Sequence, residues 1–253
     1  MSRSNKPARR KRRLPRRGKQ LAMAFRTRGG KRRGAGRKRT LPGPRRVSHR
    51  ARPRFPARVP LHVTTRVGDH VPYLRNHRRC RVIRDAMYAV LDDPSFRICQ
   101  FSVQADHLHL ICEADDADAL AKGVKRFKQR VARGFNRLLR RKGSVFFDRY
   151  HLQLLRTPRQ VRACLAYVLN NARKHGEELS KRWPDPFSSA WYFDGWRADG
   201  WRDGWGPPPA RAPVARAENW LLRRGWKDHG LIGVAEVPGG RRARNRGDGY
   251  GAW

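Results

Sequence analysis

Residues 96–113 read FRICQFSVQADHLHLICE, and the fold turns on them. Two runs of strand formers, Phe96–Val103 and His107–Glu113, are separated only by Gln104, Ala105 and Asp106, which is the pattern of an antiparallel hairpin. In the second run Leu108 and Leu110 alternate with His107 and His109. Side chains two apart on a strand share a face, so the imidazoles project side by side while the leucines turn to a core. Two imidazoles placed in this way can hold one divalent ion, although a lone H-x-H pair on a strand is more often structural.

Upstream, 59–67 reads as a strand with Val59, Leu61, Val63 and Thr65 on one face. A helix follows from Arg79 to about Leu91, where Val82, Ile83, Ala86, Met87, Val90 and Leu91 recur at three and four, and Asp92-Asp93-Pro94 ends it. Downstream, a long helix is expected from Asp115 to Arg141, with Leu120, Val124, Phe127, Val131, Phe135 and Leu138 in one apolar stripe. Cations crowd its other face, among them Lys122, Lys125, Lys128, Arg130 and Arg133, as a solvated face would also show. Residues 145–155 read as extended. A third helix opens at Thr157-Pro158-Arg159-Gln160, where a capping Thr, a Pro at the first position and a Gln three after the cap coincide. Its pattern runs through Cys164, Leu165, Tyr167, Val168 and Asn171 towards His175, with Gly176 as its stop. Tyr167 and Asn171 are four apart and share a helical face. A phenol and an amide oxygen therefore meet the same space, although Tyr167 beside Leu165 and Val168 also suits a core, and Asn171 a helix cap.

Composition narrows the partners. The 253 residues hold 60 Lys plus Arg against 20 Asp plus Glu, a formal charge of +40. Such an excess repels itself unless a polyanion is near, and nucleic acid is the favoured one. No run of about 18 apolar residues and no secretory leader is present, so a soluble cytoplasmic protein without a membrane partner is expected. Cys80, Cys99, Cys112 and Cys164 form no C-x-x-C pair and read as reduced, small hydrophobes. Three segments are expected. Residues 1–54, without an acidic side chain, form a disordered basic arm for phosphates. Residues 55–193 carry the chemistry. Residues 194–253 form an irregular Trp-, Gly- and Pro-rich tail with a short helical appendage over 220–230. Its Asp194-Gly195-Trp196, Asp199-Gly200-Trp201 and Asp203-Gly204-Trp205 tripeptides either stack on bases or dock the tail.

The order of strand, basic helix, hairpin ending in Asp106-His107-Leu108-His109-Leu110-Ile111, and long basic helix comes first. Tyr167-Val168-Leu169-Asn170-Asn171-Ala172-Arg173-Lys174-His175-Gly176 follows it. Together they resemble the single-tyrosine HUH transposases, and within them the REP-associated tyrosine transposases. The likeness covers about 59–176; Ala172 stands where those relatives commonly carry Pro. It implies an α+β, ferredoxin-like sandwich of the HUH endonuclease kind, an antiparallel sheet with helices on one face and the histidines on a central strand facing the tyrosine helix. It also implies a Mg²⁺ or Mn²⁺ ion held by His107, His109 and Asn171, with Tyr167 as the nucleophile that forms a 5′-phosphotyrosyl bond. Tyr150 is the rival nucleophile, ranked second because Leu154 stands four residues beyond it.

The implied substrate is single-stranded or hairpin DNA, with Lys122, Lys125, Arg126, Lys128, Arg130, Arg133 and Arg149 on its phosphates and Phe146, Phe147 and Tyr150 near its bases. The expected setting is the prokaryotic nucleoid. The resemblance leaves monomer and trans-acting homodimer open. The competing function is a nucleic-acid-binding regulator descended from a transposase and catalytically silent.

Overall fold

The alternation around the hairpin produces a two-sided sheet. The computed structural model describes residues 54–174, 183–197 and 211–238. The basic arm up to residue 53, His175-Gly176, and the second and third Asp-Gly-Trp tripeptides lie outside the described residues.

Four strands, β1 (Leu61–Arg66), β2 (Phe96–Val103), β3 (His107–Ala114) and β4 (His151–Leu154), form one antiparallel sheet in the order β2-β3-β1-β4. Helices α1 (His77–Tyr88), α2 (Ala117–Leu138) and α3 (Pro158–Leu169) complete the frame. The hairpin closes where expected, with Gln104 N–H donating to His107 O at 2.9 Å. A bulge between Ile98 and Gln100 inserts Cys99, and beyond it Phe101 faces Leu110 and Ser102 faces His109.

Leu61, Val63, Phe101, Val103, Leu108 and Leu110 bury one face of the sheet against α1 and α2. The long helix approaches closely because two of its positions lack a side chain. A Cβ at Gly123 would lie 2.1 Å from the Phe96 ring, and one at Gly134 would lie 2.4 Å from Val82 of α1. Asn76, Asp116 and Thr157 cap the three helices through their side-chain oxygens. Gln160 Oε1 accepts from Arg156 N–H at 2.8 Å, so the expected reciprocal cap forms one residue earlier than the usual box.

The α+β sandwich on an antiparallel sheet is as expected, but helices on one face describes only α1 and α2. The third helix lies on the opposite face, over β2 and β3, where Val161, Leu165 and Val168 meet Cys99 and Ile111. It is covered on its outer side as well. Leu222, Trp226, Ile232 and Val234 belong to the same buried cluster, carried by α5 (Trp220–Arg223), the 3₁₀ turn Gly225–His229 and the chain after it. Polar anchors hold this layer down. Buried Glu113 accepts from Glu218 N–H and Asn219 N–H, Asn170 Nδ2 donates to Gly233 O, and Arg162 forks onto Glu236. Trp196 of the first Asp-Gly-Trp is buried, its Nε1–H bonded to Ala190 O at 3.0 Å, so this copy docks instead of stacking on bases.

Two other expectations need correction. The stretch 145–155 pairs in two places, a single antiparallel bridge of Phe146 with Val67 and the strand β4, and between them Asp148 Oδ1 takes the next backbone N–H at 2.6 Å and interrupts the pairing. The third helix stops at Leu169. Asn170 leaves helical geometry at φ −111°, ψ 14°, and a separate turn, α4 (Asn171–Lys174), begins. The four cysteines are free and buried, and burial pushes the thiols of Cys99, Cys112 and Cys164 up. No helix among the described residues is long and apolar enough to cross a membrane.

Candidate active site

The site lies on the α3 face of the sheet, and register builds it. β1 pairs antiparallel with β3 so that Thr64 faces His109 and Arg66 faces His107, which puts His62, Thr64 and Arg66 on the imidazole face. His107 Nε2 and His109 Nε2 are 3.0 Å apart, and the rings meet edge to face at 4.7 Å. Each ring is held from behind through its other nitrogen. His107 Nδ1 lies 2.7 Å from Asp106 Oδ1, while Asp106 Oδ2 pairs with Arg66 at 2.7 Å. His109 Nδ1 lies 3.1 Å from both His62 Nε2 and Thr64 Oγ1.

Burial alone would raise the Asp106 pKa, but the His107 hydrogen bond and the charges of His107 and Arg66 outweigh it, and the carboxyl ends below its ordinary value. It is therefore an anion at neutral pH and accepts the Nδ1 proton of His107. Burial lowers His62 to about 4, so that ring is neutral.

Tyr167 closes the site from α3, with its ring 5.1 Å from that of His109 and 6.0 Å from that of His62, both edge-on. Burial raises the phenol pKa, and Asn171 draws it back only in part. Asn171 is fully buried and reaches the phenol from beyond the helix end, yet neither its Oδ1 nor its Nδ2 makes a hydrogen bond of ordinary geometry. An amide stranded in this way costs on the order of 1–3 kcal/mol unless something else completes it.

This arrangement suits a cation. Were both Nδ1 atoms to donate backwards, the two Nε2 lone pairs would face each other at 3.0 Å, an arrangement that a proton or a metal between them relieves. Among the described residues no group of three or more His, Cys, Asp or Glu forms a metal cage. A third protein ligand would therefore have to be of another kind, and the orphaned Asn171 Oδ1 is a hard oxygen donor of that kind.

The sequence-predicted residues divide by face. His107, His109 and Tyr167 converge, and Asn171 joins them through Tyr167. Tyr150 is buried in the cluster under α2, across the sheet from the histidines. The cations of α2 lie on that far side too. Lys122, Lys125, Arg130 and Arg133 are exposed, whereas Arg126 pairs with Asp93 at 2.6 Å and Lys128 donates to Asp148 O at 2.9 Å. Lys125, Lys128, Arg149, Phe146 and Tyr150 line a groove of about 500 Å³ there. His62, Thr64, Arg66 and Asp106 were missed as site residues. The available signal was the polar alternation His62, Thr64, Arg66 opposite Leu61, Val63 and Thr65.

The four-stranded antiparallel sheet thus presents paired imidazoles to a helix-borne tyrosine. Residues 57–171 match the family described as "Transposase IS200 like". Two solved structures are similar. One is a REP-associated tyrosine transposase bound to a REP hairpin, 19% identical over 68% of this chain and 100% of that one, with a TM-score of 0.48. The other is a Deinococcus radiodurans R1 protein assigned as a transposase, 12% identical over 53% of this chain and 100% of that one, with a TM-score of 0.35. No curated protein matches the chain.

Proposed function

We propose that this protein is a metal-dependent single-strand DNA endonuclease and strand transferase that works through a covalent 5′-phosphotyrosine on hairpin-forming DNA. The observation that carries this reading is the pair of Nε2 atoms 3.0 Å apart, each ring anchored from behind, under the edge of Tyr167. His107, His109 and Asn171 would hold Mg²⁺ or Mn²⁺, which when bound polarises a phosphate oxygen and offsets charge in the transition state.

The protein's own groups do the rest. Tyr167 Oη attacks phosphorus, the P–O3′ bond breaks, and the phenol proton is matched by the one the departing 3′-oxygen gains. The bond energy stays in the tyrosyl ester, so a second 3′-hydroxyl can displace Tyr167 without a nucleotide cofactor. Burial of the phenol, which raises its pKa, keeps it protonated until substrate arrives. Asn171 steadies it. Arg66, half exposed beside His107 and Asp106, offers a charge at the mouth of the site.

Because α2 lies across the sheet, its exposed Lys122, Lys125, Arg130 and Arg133, together with Arg149 in the adjoining groove, would hold DNA away from the cut bond. Arg126 and Lys128 would have to exchange internal partners to join them. Such a substrate would bring the protein to the nucleoid.

The test is incubation of the whole chain with a labelled hairpin single strand from its own genomic flanks, in Mn²⁺ or EDTA, followed by a denaturing protein gel. A Mn²⁺-dependent covalent band that Tyr167→Phe abolishes while DNA binding persists is the expected result. Tight binding with no band on any flanking substrate would replace the enzyme by a silent DNA-binding regulator.

A further inference from the structure

We infer that His62 is a positioning residue that fixes the His109 ring with its Nε2 lone pair turned towards His107. The inference rests on His107 and His109 being metal ligands, as proposed above, and it concerns what prepares one of them.

A neutral imidazole has one donor and one acceptor nitrogen, and only the acceptor can bind a cation. For His109 to ligate through Nε2, its proton must sit on Nδ1 and find an acceptor there. Two groups are in reach, His62 Nε2 and Thr64 Oγ1, both at 3.1 Å. Thr64 cannot decide the matter, because a hydroxyl donates as readily as it accepts. His62 can. If its Nε2 carries only a lone pair, it accepts the His109 proton and excludes the unproductive tautomer.

The β1–β4 register places Gln153 opposite His62 on the next strand. An acceptor at His62 Nδ1 would leave His62 Nε2 as the acceptor for His109. His62 and His109 lie on neighbouring strands of the site face. His62 is 9% exposed, and its ring stacks on that of His109 at 5.2 Å, which limits rotation as well as tautomer.

His107 has a counterpart, since Asp106, clamped by Arg66, accepts its Nδ1 proton. The two ligands are thus oriented by unlike partners, a carboxylate for the half-exposed ring and an imidazole for the buried one. A neutral partner suits the buried position, where a second carboxylate would be a costly charge. Outer partners of metal-bound histidines typically contribute about 10–100-fold in metal affinity.

The experiment titrates the full chain with Mn²⁺ alone, without DNA, by calorimetry. His62→Ala should weaken Mn²⁺ binding by about 10–100-fold, and His62→Gln, whose amide oxygen can accept the same proton, should recover most of the loss. In the wild-type protein, nitrogen-15 chemical shifts should show His109 protonated at Nδ1, a measurement that does not depend on any variant folding. A folded His62→Ala with wild-type Mn²⁺ affinity, or a wild-type His109 protonated at Nε2 instead, overturns the inference. The His107→Ala, His109→Ala double variant separates the two levels: if it binds Mn²⁺ like wild type, the metal site itself is wrong; if it loses binding while His62→Ala does not, only the positioning role falls.

Discussion

Trp226→Ala should strip the outer support from the helix that carries Tyr167. The indole is 1% exposed, stacks on Phe193 at 5.5 Å and lies so close to Gly195 that a Cβ there would come within 2.2 Å of it. Its Nε1–H donates to Leu222 O at 3.0 Å. Removing a buried ring of this size costs about 3–5 kcal/mol, which for a domain of this length lowers Tm by roughly 6–20 °C. Trp226→Phe keeps an aromatic ring but loses one hydrogen bond and part of the buried volume, a smaller cost of about 1–3 kcal/mol. The assay is thermal unfolding followed by circular dichroism, paired with the covalent-adduct gel at two temperatures. Trp226→Ala should lose adduct at the higher temperature before the lower one, because the loss comes from a loosened α3 and not from missing chemistry. Unfolding of Trp226→Ala within about 2 °C of wild type would mean that residues 220–234 are not part of the domain core, and the reasoning would fail.

Two further outcomes are expected. Burial pushes Glu236 up, but its fork with Arg162 and the Gly233 N–H outweigh burial and leave its pKa below the ordinary 4.5. A depressed carboxylate stabilises above its ordinary pKa and loses that contribution as pH falls through the folded one. Glu236→Gln should therefore melt lower than wild type at pH 7, with the gap closing below pH 4.5; a gap that ignores pH would count against the pairing. Deleting the residues before Arg54 should flatten the salt dependence of single-strand binding by about 0.7 log unit for each phosphate that the arm no longer neutralises. An unchanged slope would make the arm a solvated tail.

Where local pattern and burial agree, the sequence could be read directly. The hairpin, the caps at Asp116 and Thr157, and the pairing of His107 with His109 all follow from neighbours close in the chain. His62 did not, because a polar residue on an alternating strand looks the same whether solvent or a distant helix covers that side. Here α3 brings the neighbouring cover, and α3 itself carries Val161, Cys164, Leu165 and Val168 around more than one face because it is buried from two directions. The second direction, Leu222 to Val234, is too short and irregular to show a period. The end of α3 was misplaced for a similar reason. Asn170 continues the apparent helical spacing, but its side chain is taken by Gly233, far along the chain.

That outer layer has a consequence for synthesis. The helix bearing Tyr167 is made well before Leu222, Trp226, Ile232 and Val234, the residues that seal its far side. At about 5–20 residues per second a ribosome takes several seconds to cover the gap. During that interval the nascent chain holds a tyrosine helix seated on one side only. The seat of Tyr167 is therefore completed only once the last part of the packed domain has been synthesised.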